Sequence, residues 1–92
     1  MTSRSDSGLP GYRVLVVDDI PANIGVLRGI LEPAGVAVAA AGSGEEALKL
    51  AALAPPDLVL LDVMMPGLDG FATCARLKAD PALADVPVLF VT

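Results

Sequence analysis

A parallel α/β sheet with helices on its faces is the fold this sequence predicts, and three observations predict it. Apolar runs that do not alternate recur at Val14–Val17, Leu58–Leu61 and Val88–Val91, as strands buried on both faces require. Segments of helical period separate the runs. Two of the runs end on carboxylates, Asp18-Asp19 and Asp62, and a charge costs least where a strand leaves the core for a solvent-reached crevice. The order β-α-β-α-β-α-β implies right-handed crossovers within one sheet.

Taken in order, residues 1–11 are polar and lack an apolar h-region, so they read as a flexible tail and not a signal peptide. The domain then occupies 12–92. Arg13 to Val17 is a β-branched first strand. Pro21 suits a first helical position, where its missing N–H costs nothing. Ile20, Ile24, Leu27 and Leu31, with Ile30 beside them, form one apolar stripe, and Pro33 and Gly35 end that helix. Val36 to Ala40 is a weaker second strand. Ser43-Gly44-Glu45-Glu46 reads as a capping box for a second, Ala/Leu-rich helix that Pro55-Pro56 stops. The third strand runs from Asp57 to Asp62 and breaks at Pro66-Gly67. Asp69 is the expected N-cap of a third helix with Phe71, Cys74 and Ala75 inward and Leu77 flanking. Pro87 introduces the fourth strand, which ends on Thr92.

Composition removes several function classes. The 92 residues bound one small domain or a piece of one. At 54% hydrophobic the chain is too apolar for disorder, yet no run approaches the ~20 residues of a membrane span. A net charge of −5 with no basic patch argues against nucleic-acid binding. One cysteine, Cys74, permits no internal disulfide, and the absence of histidine excludes His-based catalysis and ligation. The expectation is a soluble, cytoplasmic protein.

If the first and third strands are neighbours, Asp18, Asp19 and Asp62 converge where the strand order reverses, the usual ligand crevice of open α/β sheets. Carboxylates ~4 Å apart repel by roughly 4 kcal/mol per pair at an effective dielectric near 20. Either a pKa rises or a cation sits among them. Oxygen-only ligands favour a hard ion, Mg²⁺ above all. A carboxylate beside Mg²⁺ is also a competent nucleophile toward phosphorus.

Val16-Val17-Asp18-Asp19, the stretch Leu60 to Gly70 and Val88-Leu89-Phe90-Val91-Thr92 together resemble the receiver domain of two-component response regulators, in the family's order and at similar spacing. Asp18 to Asn23 resembles receivers of hybrid kinases and of cyclic-dinucleotide-linked regulators. The resemblance implies a CheY-like (flavodoxin-like) doubly wound sheet, here with four strands in the order 2-1-3-4 and three helices. It implies that Asp62 accepts a phosphoryl group from a phosphohistidine on a histidine kinase or phosphotransfer protein. That partner would dock near the first helix, whose exposed face includes Asn23 and Arg28. Asp19 would ligate Mg²⁺ directly, Asp18 mainly through water, with Asp62 and the Met64 carbonyl adding oxygens. Thr92 would be the switch hydroxyl. Such a domain is a signalling module that assists its own phosphorylation and dephosphorylation, not an enzyme acting on a metabolite.

The family's fifth strand, its lysine and its last helices have no counterpart here, so the chain reads as a C-terminally truncated receiver. Its fourth strand would be an edge open to self-association. The truncation also predicts weak Mg²⁺ binding and slow phosphorylation. Two rival readings stand beside this one. A non-phosphorylated docking module would need none of the carboxylates. A dinucleotide-binding fragment would use Gly42-Ser43-Gly44-Glu45-Glu46-Ala47, which fits G-x-G-x-x-A after a strand.

Overall fold

The computed structural model describes residues 11–91. The chain forms β1 (Arg13–Val17), α1 (Pro21–Leu31), β2 (Ala37–Ala41), α2 (Gly44–Leu53), β3 (Leu58–Asp62), α3 (Gly70–Ala79) and β4 (Val88–Val91), with a 3-10 turn (Glu32–Ala34) after α1. The strands make one parallel sheet in the order β2-β1-β3-β4, as the sequence predicts. β2 begins one residue later than expected, because the Val36 N–H donates back to the Leu31 carbonyl at 3.4 Å and the ladder starts with the Ala37 N–H on the Tyr12 carbonyl at 2.9 Å.

Strand order decides which face each helix covers. The chain steps from β1 to β2 in one direction, then passes back across β1 to β3 and on to β4. A right-handed crossover that reverses direction must place its helix on the opposite face. So among the described residues α1 alone covers one face, where Ile24, Leu27 and Leu31 pack on Val14, Val16 and Val36. On the other face α2 and α3 cover Leu15, Val17, Val59 and Leu61, using Ala47, Ala51 and Leu77.

This asymmetry corrects the reading of the strands as buried on both faces. Val59 and Leu61 are fully buried, but Leu58 and Leu60 are only half-buried, since one helix cannot span its whole face. For the same reason no residue of α1 is fully buried. Ile20 and Ile30, assigned to its stripe, are exposed, as are Val26 and Leu89.

Local chemistry fixes the element ends. Ser43 Oγ accepts from the Glu46 N–H at 3.1 Å. Glu46 reaches back, but to the Gly42 N–H at 2.7 Å, one residue before the cap. Asp69 Oδ1 accepts from the Ala72 N–H at 2.8 Å, the predicted cap of α3. Gly35 closes the 3-10 turn at φ 90°, a left-handed conformation that glycine adopts without steric cost. At the far end of the sheet Asp57 clamps β1 to β3. Its Oδ2 accepts from the Arg13 N–H at 2.8 Å and its own N–H donates to the Arg13 carbonyl at 2.8 Å.

The buried face of α3 differs from the expected one. Gly70, Thr73 and Leu77 face inward, Cys74 is half-buried beside them, and Phe71 and Ala75 are exposed. The cause is close approach. A Cβ on Gly70 would overlap the Asp62 carbonyl oxygen and lie 2.7 Å from Val63 Cα. A Cβ on Gly44 would overlap Thr73 Oγ1 and lie 2.8 Å from the Leu68 carbonyl oxygen. These two glycines let the starts of α2 and α3 close on each other and on the end of β3. Phe71, rotated outward, packs instead against Phe90 with ring centroids 5.1 Å apart. Met65 is buried, whereas Met64 is 78% exposed.

Candidate functional site

Register builds the site. Val17 on β1 pairs with Leu61 on β3, so the next residues, Asp18 and Asp62, stand side by side at adjacent strand ends. Adjacent strands lie about 4.8 Å apart. This is also the switch point, with β2 on one side of β1 and β3 on the other. The Asp18 N–H donates to the Ala41 carbonyl at 3.1 Å and so holds Asp18 in the ladder beyond the end of β1.

One carboxylate oxygen from each of Asp18, Asp19 and Asp62 lies within 4.8 Å of the other two. Asp18 is buried, Asp62 half-buried and Asp19 exposed. Asp18 and Asp62 line a crevice of about 250 Å³ with Asn23, Val26, Leu27 and Val91. At this separation each ionised pair repels by roughly 3.5 kcal/mol at an effective dielectric near 20. The donor set is all oxygen, from three carboxylates of graded exposure, which fits a hard divalent cation better than a thiophilic one.

Neighbouring amides orient these acids. Asp18 Oδ1 accepts from the Ile20 N–H at 2.9 Å, and Asp18 Oδ2 from Asn23 Nδ2 at 3.1 Å. Asp62 Oδ1 accepts from the Met64 N–H at 3.1 Å. Among the described residues nothing donates to Asp62 Oδ2, and Asp62 lines the crevice.

The three predicted aspartates therefore meet. Met64 lies beside them through its amide, and its carbonyl accepts no backbone N–H among the described residues. Thr92 lies outside the described residues; Val91, the residue before it, pairs with Asp62. Arg28 is engaged with Glu32 at 2.9 Å and reaches the Val38 carbonyl at 3.4 Å. Sequence reasoning missed the inward turn of the Asn23 amide, the Ile20 N–H and the requirement for glycine at 70. The only signal for Asn23 was an amide side chain in the first turn of the helix that follows the Asp pair.

Gly42 to Ala47 does not form a pyrophosphate cradle. Glu46 already occupies the Gly42 N–H, and Gly44 is packed under Thr73 and Leu68. The glycine there serves helix packing, so the dinucleotide reading fails.

A doubly wound parallel sheet whose two central strands end on carboxylates at the switch point defines the receiver class of signalling module. The chain belongs to the response regulator receiver domain family, whose profile matches residues 14–92. It is 49% identical over 80 residues to the response regulator PleD of Caulobacter vibrioides, an alignment that takes in 87% of this chain and 18% of PleD. Among solved structures it resembles the N-terminal domain of a response regulator receiver protein from Methanoculleus marisnigri. That match has a TM-score of 0.86 and 49% identity, and covers 89% of this chain and 67% of the other. It likewise resembles the chemotaxis protein CheY4 of Vibrio cholerae, with a TM-score of 0.83 and 32% identity over 86% of this chain and 66% of that one. The chain thus spans less than a fifth of PleD's length. Among the described residues no helix is long and apolar enough to cross a membrane.

Proposed function

We propose that residues 12–92 act as a Mg²⁺-dependent phosphoacceptor, with Asp62 as the acceptor. The observation that carries this is the gathering of three carboxylates within 4.8 Å at the ends of the two central strands. With the Met64 N–H holding Oδ1, Oδ2 of Asp62 is the oxygen left to attack. The new bond joins Asp62 Oδ2 to phosphorus as the bond from phosphorus to the donor's histidine nitrogen breaks. The imidazole leaves with the electron pair and takes up a proton. Asp19, Asp18, Asp62 and the Met64 carbonyl would hold the cation, Asp18 chiefly through water. Mg²⁺ bound there supplies positive charge against the carboxylates and the phosphoryl oxygens. Thr92, directly after the residue that pairs with Asp62, would be the switch hydroxyl.

The donor in this reading is a histidine kinase or histidine phosphotransfer protein in the cytoplasm, docking beside α1. β4 is an outer strand of the described sheet, and self-association along it is part of this reading. Incubation with acetyl phosphate and Mg²⁺, followed by intact mass, tests the central claim. The expected result is a base-labile gain of one phosphoryl group, lost in Asp62→Asn and on chelation. An unlabelled chain under saturating donor would leave the docking-module reading in its place.

A further inference from the structure

Of the three acids, Asp18 alone has both carboxylate oxygens engaged by described residues, and it is 6% exposed. One of its partners is the Ile20 main-chain N–H, which survives any change of side chain. The other is the Asn23 amide, which substitution can remove. Asn23 lies in the first turn of α1, and its own N–H donates to the Ile20 carbonyl at 3.0 Å. Its side chain does not cap the helix; it crosses to Asp18 and lines the same crevice as Asp62. Because the amide is neutral, it fixes the carboxylate without cancelling the charge a cation needs. A lysine or arginine at this place would form an ion pair and compete with the cation.

We propose that Asn23 is a positioning residue for the cation site, holding the Asp18 carboxylate so that its remaining lone pairs face the crevice. The inference rests on the metal reading above and adds to it a determinant of Mg²⁺ affinity. Loss of an outer-shell partner costs on the order of 10–100-fold in metal affinity. One of Asp18's two bonds persists here, so the loss falls near the lower end, about tenfold.

The test is a calorimetric Mg²⁺ titration of the parent chain, Asn23→Ala, Asp18→Asn and the double variant, carried to saturation of the weakest binder. Asn23→Ala is expected to raise Kd about tenfold. In the Asp18→Asn background the same change is expected to move Kd less than about twofold, because the group it positions is gone. Loss of the bond to Asp18 and the better helix propensity of alanine act in opposite directions on stability. The control is therefore helical content, and far-ultraviolet circular dichroism in EDTA at the titration temperature should be the same for Asn23→Ala and the parent. An affinity loss would then not come from a loosened helix. Equal Kd in parent and Asn23→Ala would overturn the proposal, as would a full tenfold loss in the Asp18→Asn background or a loss of helical signal from Asn23→Ala in EDTA. A parent chain that takes up no Mg²⁺ would overturn the metal reading and this inference with it. A parent that binds while Asn23→Ala binds equally well removes only the role of Asn23.

Discussion

One chemical change, glycine to alanine, is expected to have opposite signs at different positions of this chain. At Gly25 and Gly29 on α1 a new Cβ meets nothing within 4 Å. There the substitution only removes backbone freedom from the unfolded chain and improves helix propensity, a gain of about 0.5–1 kcal/mol each. At Gly70 the new Cβ meets the backbone of Asp62 and Val63. To regain ordinary contact at 3.4 Å from Val63 Cα, now 2.7 Å away, the start of α3 must retreat by about 0.7 Å. The Asp62 carbonyl demands still more. Nothing there can rotate aside, because the opposing atoms belong to the end of β3 and the loop after it. Overpacking of this kind costs about 1–3 kcal/mol, which outweighs the propensity gain. Urea unfolding followed by far-ultraviolet circular dichroism, with ΔG from linear extrapolation, reads both signs. For a chain of this size about 1 kcal/mol corresponds to roughly 4–8 °C in Tm. Gly70→Ala should also slow phosphoryl labelling, since the displaced backbone carries Asp62. A Gly70→Ala chain as stable as Gly25→Ala would refute the reasoning, because both substitutions alter the unfolded state alike.

Three further outcomes follow from the same geometry. Asp57→Ala should cost about 1–2 kcal/mol by removing a charge-assisted bond to the Arg13 N–H, and hydrogen exchange should show the Arg13 amide losing protection first. Ser43→Ala removes the side-chain cap of α2 and should lower ΔG by about 1 kcal/mol in urea unfolding. Saturating Mg²⁺ at about ten times its Kd should stabilise the folded chain by roughly 1.4 kcal/mol, seen as a rise in Tm that EDTA reverses and that Asp19→Asn diminishes.

The parts of the fold that the sequence declares are those where burial and charge act along one stretch of chain. β1 and β3 are apolar runs closed by acids; their adjacency, which the residues leave as a condition and the family resemblance implies, is what the β1–β3 register shows. The caps at Ser43 and Asp69 are legible because each is a contact within one helical turn. The inner face of α3 was not, because hydrophobicity favours Phe71 and Ala75 while the packing turns on two residues with little or no apolar bulk. Thr73 is fully buried, its Oγ1 donating to the Asp69 carbonyl at 2.8 Å, a bond that only the folded turn provides. Likewise Asn23 reads as a polar residue on an exposed helix face. Its role depends on where α1 sits over the end of β1, which is a tertiary fact. The half-burial of Leu58 and Leu60 depends on how many helices reach each face, and that follows from strand order and not from the local run.

The parallel alignment of β1 with β3 joins chain segments 44 positions apart, as the Arg13–Asp57 clamp measures. No fragment lacking either segment can bring the acids together, and an unfolded chain offers a cation only scattered single carboxylates. Ion uptake is thereby thermodynamically tied to that one long-range pairing. A dissociation constant measured across a denaturant series would track the closure of the sheet's centre, independently of any optical signal from the helices.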